Sequence, residues 1–294
     1  MGPPAIETDG LTKRYGSETA VDGLDLSIPR GEVYGFLGPN GAGKTTAIRV
    51  LTTLTEPTGG DARILGTSVA NRADVVPHVG YLPEEPPLYE ELTGREQLEY
   101  VAGLQEFRDA DRIDALLERF DLAGDADRRI GTYSKGMKQK VGLVQAVMHD
   151  PAVLVLDEPT SGLDPRAART VRDLVAEVAA ADTTVFLSTH ILPVVSELAD
   201  RVGVLSGGDL VAEGTPRELT ERVEGDADGE SDLESVFLEV TNDREEGATV
   251  PGADPDVRPG GGAGADDPAP AADADDPAPA ADSDGTTPAA TDDP

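Results

Sequence analysis

Eight consecutive residues of this 294-residue chain, Gly38-Pro39-Asn40-Gly41-Ala42-Gly43-Lys44-Thr45, fit the spacing G-x-x-x-x-G-K-[ST]. Glycines at these intervals let the backbone curl until successive N–H groups converge on anionic oxygens. Lys44 brings a cation to the β- and γ-phosphates of a nucleotide, and the Thr45 hydroxyl suits a magnesium ligand. The run Glu32-Val33-Tyr34-Gly35-Phe36-Leu37 leads in as a short strand. A helix over about 44–54 leads out, with its positive end toward the same anion. The candidate nucleotide-binding set is therefore Gly38, Pro39, Asn40, Gly41, Ala42, Gly43, Lys44, Thr45 and Thr46.

A second run, Val153-Leu154-Val155-Leu156-Asp157-Glu158, sets four aliphatic residues ahead of two carboxylates. Continuous apolar character suits a buried parallel strand, and parallel sheets gather ligand chemistry at the carboxyl ends of their strands. At such an end Asp157 would hold Mg²⁺ through its water shell, and Glu158 could polarise an attacking water. Two adjacent acids could equally close a surface turn. The phosphate loop upstream favours the chemical reading.

The elements that position these residues must come from a chain of unusual charge. It carries 57 Asp and Glu against 24 Lys and Arg, a net charge of −33. That excess argues against a nucleic-acid partner, because phosphate-backbone binding runs on clustered Lys and Arg. The absence of Cys excludes disulfides, thiolate zinc sites and a cysteine nucleophile. Apolar content of 38% is enough for a core, and 4% aromatic with no Trp makes that core aliphatic. No apolar run approaches the roughly 20 residues that span a bilayer. The N-terminal MGPPAIETDG lacks the layout of a signal peptide, and Ile6 stands where myristoylation needs Ser or Thr. A soluble, intracellular setting is expected.

Residues 243–294 hold 14 acidic and 2 basic residues, and DDPAPAAD occurs there twice. Pro, Ala, Gly and Asp in this proportion cannot offset ordering entropy by burial, so residues 242–294 read as a disordered acidic tail. The body ahead of it remains strongly negative, and only five of its basic residues are Lys. Such a surface repels itself in the compact state and points to a halophile with a high-salt cytoplasm.

With the phosphate loop and the Asp157-Glu158 pair in place, the chain resembles the ATP-binding subunits of ABC-type transporters over about residues 6–220. The most specific mark is Tyr133-Ser134-Lys135-Gly136-Met137-Lys138-Gln139, similar to the family's signature segment. It lies upstream of Leu156-Asp157-Glu158-Pro159-Thr160-Ser161-Gly162-Leu163-Asp164-Pro165, in the family's order. The family's usual form has two adjacent glycines followed by Gln. Lys135 and Met137 depart from it, so Ser134 and Gly136 carry over. The resemblance implies that these two residues contact ATP held by an opposite subunit, in a homodimer or heterodimer that shares its sites. By the same resemblance Tyr15 stacks on adenine, His190 reaches the γ-phosphate, and Asp164 communicates across the dimer. Asp164 also reads as a helix N-cap, with Pro165 in the first turn. His78 and His149 match nothing. Glu84 stands where the family usually has Gln; it can still meet Mg²⁺ or water, but it adds negative charge beside the phosphates and makes nucleotide affinity more dependent on Mg²⁺.

Between Glu85 and Asp150 the pattern turns helical. Thr93-Gly94-Arg95-Glu96 is a capping box opening a helix through about Phe107, and Ile113, Leu116, Leu117 and Phe120 recur at helical spacing. In the family this region carries the signature and receives the membrane subunit, with residues 84–92 as hinge and contact surface. Asp232-Leu233-Glu234-Ser235-Val236-Phe237-Leu238-Glu239-Val240-Thr241 resembles the C-terminal segment of the drug, sodium and haem exporter branch, whose permeases are separate chains.

The expected fold is α/β: a P-loop NTPase with a mostly parallel core sheet, an N-terminal antiparallel β subdomain and an inserted α-helical subdomain. Residues 1–225 form the ATPase domain, with the helical subdomain at about 85–150, and 226–241 form a short C-terminal element. The expected function is ATP hydrolysis with Mg²⁺, catalysed by Glu158 and His190. The subunit would power a separate membrane permease, an exporter, from the cytoplasmic face of the membrane. The alternative is a soluble ABC-type ATPase of translation or DNA repair. A single phosphate loop, no coiled coil and the wrong charge count against it. A P-loop kinase has no use for Ser134 and Gly136 acting in trans, and Glu158 argues against a pure binding module.

Overall fold

The computed structural model describes residues 2–105, 107, 109–224 and Phe237. The expected C-terminal element, apart from Phe237, and the expected tail lie outside the described residues. In chain order the elements are β1 (Ile6–Tyr15), β2 (Glu18–Ile28), β3 (Val33–Leu37), α1 (Lys44–Leu51), β4 (Gly59–Ile64), β5 (Thr67–Ser68), α2 (Arg72–Val75) and β6 (Val79–Leu82). Then come α3 (Gly94–Leu104), α4 (Ala110–Arg119), α5 (Lys135–Val147), β7 (Val153–Asp157), α6 (Pro165–Ala179), β8 (Thr184–Thr189), α7 (Leu192–Leu198), β9 (Arg201–Ser206), β10 (Asp209–Gly214) and α8 (Pro216–Glu224).

Two sheets organise these elements. One is four-stranded in the order β2-β1-β4-β5, antiparallel throughout. The other is six-stranded in the order β10-β9-β3-β8-β7-β6, and every pairing in it is parallel except β10 with β9. Strands β3, β7 and β8 are buried at every position, which is why the middle of each reads as a continuous apolar run rather than an alternating one. Helices α3, α4 and α5 are inserted between β6 and β7. The fold is thus α/β, a mostly parallel core sheet with an antiparallel β portion and a helical insertion.

The insertion has its own packing logic. Thr93 caps α3 through a complete capping box, its side chain accepting from the Glu96 N–H while Glu96 accepts from the Thr93 N–H. Ile113, Leu116, Leu117 and Phe120 are buried in one cluster with Leu98, Val141 and Val144. That cluster runs on into Leu154, Leu156, Val185 and Leu187 of the parallel sheet, so it anchors the insertion directly on β7 and β8. Each such side chain contributes about 1.5–3 kcal/mol by leaving water.

Two helices end earlier than their sequence pattern implies. The helix from Lys44 stops at Leu51 because Thr53 turns left-handed at φ 60° and the Leu54 and Thr55 N–H groups both fold back on Arg49 O. The helix from Gly94 stops at Leu104. There the Phe107 N–H closes a five-residue loop onto Ala102 O, which is wider than an α-turn.

Candidate nucleotide-binding site

The site is built where β3, β7 and β8 end on the same edge of the parallel sheet. Leu37 pairs with Thr189, and Asp157 pairs with Ser188, so the phosphate loop, the two carboxylates and His190 leave the sheet side by side. After β3 the loop turns through Gly41 and Gly43, both at positive φ, and Gly43 at φ 105° serves as the N-cap of α1. A Cβ at Gly43 would lie 2.1 Å from Ala20 O of β2, so only glycine lets the loop pass under that strand.

A cleft of about 390 Å³ opens here. Tyr15, Pro39, Asn40, Gly41, Ala42, Gly43, Lys44, Thr45, Thr46, Glu84, Asp157 and Glu158 line it. Gly38 sits just behind, where a Cβ would meet Leu205 O at 2.5 Å. Lys44 is buried, and its ammonium donates to Gly38 O at 2.6 Å and lies 3.9 Å from Glu158 Oε1. Burial pulls its pKa down, and the carboxylates of Glu158, Asp157 and Glu84 push it back up. Asp157 is pushed above the usual carboxylate range chiefly by burial, with the Ser188 and Thr45 hydroxyls opposing.

Asp157 Oδ1 is buried without a hydrogen-bond partner among the described residues. A buried carboxylate oxygen left in that condition, with the Thr45 hydroxyl and Glu84 on the same cleft, is a donor set of hard oxygens suited to Mg²⁺. Glu84 Oε1 accepts from Ser161 Oγ at 3.0 Å, which ties the segment after β6 to the loop after β7. Tyr15 is 46% exposed, its ring 5.1 Å from Lys13 Nζ, an open flat surface at the mouth of the cleft.

Glu158 has an unusual backbone. Its φ is +48°, a left-handed conformation that costs a non-glycine residue on the order of 1–3 kcal/mol. Its N–H donates to Ser188 O at 2.9 Å. Its side chain meets His190 Nδ1 at 2.8 Å through Oε1 and accepts from Thr189 Oγ1 at 3.0 Å through Oε2. His190 touches the site through Glu158 and does not line the cleft.

Ser134, Gly136 and Asp164 lie elsewhere. Ser134 caps α5 by accepting from the Met137 N–H, and Asp164 caps α6 by accepting from the Arg166 and Ala167 N–H groups. Gly136 faces Ala167 of α6, where a Cβ would come within 3.0 Å. None of the three lines the cleft that holds Lys44. Glu18 and Ala20 of β2, which complete the cleft wall, and Thr189 are not among the site residues expected from the sequence. No local pattern marks them; β2 reaches the loop only through the fold.

Strand-loop-helix, paired acids and buried lysine together define a nucleotide-binding protein of the phosphate-loop class. The sequence profile described as ABC transporter matches residues 21–161. The chain is 45% identical over 230 residues to the daunorubicin resistance ATP-binding protein DrrA3 of Streptomyces coeruleorubidus, a match covering 77% of this chain and 73% of that one. It is 40% identical over 210 residues to the bacitracin transport ATP-binding protein BcrA of Bacillus licheniformis, covering 71% and 69%. A solved structure described as the ATP binding subunit of an ABC transporter superposes with a TM-score of 0.72 at 31% identity, covering 80% of this chain and 99% of that chain. The chain belongs to the ABC transporter family, as an ATPase subunit.

Proposed function

We propose that this chain binds ATP with Mg²⁺ in the cleft around Lys44 and hydrolyses it to drive a separate membrane permease in export. The observation that carries the reading is the convergence of the phosphate loop, Asp157, Glu158 and Glu84 on one cleft. Loop N–H groups and Lys44 bind the phosphates, and Tyr15 offers its ring to the base. Thr45 and Asp157 would hold Mg²⁺, with Glu84 beside them, and the ion would supply charge neutralisation at the phosphates. Glu158 orients and deprotonates the attacking water, while His190 contacts the γ-phosphate.

The exposed caps Ser134 and Asp164, with Gly136, act on the ATP of a second subunit, so two cassettes, alike or related, close over two nucleotides. Among the described residues no helix is long and apolar enough to cross a membrane. The membrane pathway is assigned to partner chains, in keeping with the description of the relatives as ATP-binding proteins, and this subunit works at their cytoplasmic face. Export follows from the resistance and transport roles in the names of the relatives. Replacing Glu158 by Gln keeps the shape and removes the base. ATP hydrolysis by the variant should fall by at least about a hundredfold, the scale of general-base catalysis, with ATP binding intact. Retained hydrolysis overturns the assignment.

A further inference from the structure

The two oxygens of Glu158 keep different company. Oε1 is 2.8 Å from His190 Nδ1 and 3.9 Å from Lys44 Nζ. Oε2 accepts from Thr189 Oγ1 at 3.0 Å. The terminal torsion of a glutamate is broad and roughly two-fold, so nothing within the side chain decides which way its oxygens face. Something outside it must.

His190 is a poor candidate, since its side chain is 48% exposed on the turn after β8. Thr189 is fully buried at the end of β8, level with Leu37 of β3 in the parallel register. Its Oγ1 accepts from the Ile191 N–H at 3.1 Å. A threonine hydroxyl has a single proton, and with an N–H already approaching the oxygen that proton is directed at Glu158. Being β-branched, Thr189 is also stiff at χ1. Glu158 is thereby pinned to β8 twice, by its N–H on Ser188 O and by Oε2 on Thr189. Thr189 itself does not line the cleft, so it has no path to substrate.

We propose that Thr189 is a positioning residue for ATP hydrolysis: its hydroxyl anchors Glu158 Oε2 and so presents Oε1, with His190, to the water that attacks the γ-phosphate. This rests on the reading of Glu158 as the activating base. Partners that orient the ligands of a metal site typically cost about 10–100-fold in affinity or activity when removed, and the same scale is expected for a partner that orients the base. Binding of ATP does not use the hydroxyl, so the loss falls on kcat alone.

The test compares steady-state ATP hydrolysis, direct ATP binding and thermal midpoint for the full chain and for Thr189→Val, Thr189→Ala, Thr189→Ser and Glu158→Gln. Thr189→Val is expected to lose about 10–100-fold in kcat with KM within about twofold, and Thr189→Ser to stay within about threefold of the parent. If the valine variant does not fold, alanine against serine makes the same comparison. Serine falling as far as valine or alanine, a hydroxyl-free variant keeping more than half its kcat, or a rise in KM matching the loss would each overturn the proposal. Normal hydrolysis by Glu158→Gln would overturn instead the reading of Glu158 beneath it. An inactive Glu158→Gln beside an unimpaired Thr189→Val would remove Thr189 alone.

Discussion

A methyl group on Gly43 would stand 2.1 Å from Ala20 O, at a φ of +105° that L side chains rarely adopt. Gly43→Ala should therefore shift the loop out from under β2. Strain of this kind costs on the order of 1–3 kcal/mol, so ATP affinity should fall by about tenfold or more, with a lower melting temperature. A nucleotide titration alongside a thermal melt reads both. At this scale the sequence was informative wherever chemistry is local: the glycine spacing, Lys44, Asp157 and Glu158 are recognisable in a few residues. Three features were hidden. The left-handed backbone of Glu158, the hydroxyl of Thr189 behind it and the Ser161 contact to Glu84 depend on what β8 and the loop after β7 bring alongside. Residues 31 or 77 positions apart leave no spacing to read.

Among the elements, the starts of α3 and α6 were legible and the ends of α1 and α3 were not. Thr93 with Glu96, and Asp164 with Pro165, announce their helices because a cap acts within three residues. Asp164 takes both the Arg166 and Ala167 N–H groups at 3.0 Å. Asp164→Ala should cost about 1 kcal/mol and lower the melting temperature by about 2–4 °C, measured on the isolated chain by calorimetry. An unchanged midpoint would mean that solvent replaces the cap. The ends of α1 and α3 depended on backbone closures at Arg49 and Ala102 that no residue type advertises. Ser134 is a further case: its place in the signature pattern was plain, yet its work as the cap of α5 emerged only with the helix itself.

Over the whole molecule, charge is the governing quantity. The five lysines sit among contacts that use them. Lys44 lies on the loop carbonyls, Lys13 donates to Glu56 O near the Tyr15 ring, Lys138 meets Glu90 at 2.5 Å, Lys140 lies 3.9 Å from Asp121, and Lys135 packs against Gly162. The net charge of −33 already counts all 24 Lys and Arg, so the excess of carboxylates has no protein cation to offset it. Raising KCl from dilute buffer to about 1 M shortens the Debye length to about 3 Å and silences most of the self-repulsion. The melting temperature should rise across that range; a flat or falling midpoint would remove the case for a high-salt cytoplasm. The α/β class and the helical insertion could be anticipated because the motifs punctuate the chain in order. The pairing of β9 and β10 beyond β3 could not, since β9 adds to the sheet edge by long-range register alone.

The left-handed backbone at position 158 has a consequence over generations. Asn, Asp and Gly are at ease in that conformation, whereas glutamate is not. A glutamate is kept there only while turnover is selected, against a steady gain in stability open to its replacements. In a duplicated copy released from hydrolysis, position 158 would be among the first to drift toward those residues. The residue found there in a paired cassette would then record whether that partner still spends nucleotide or only holds it.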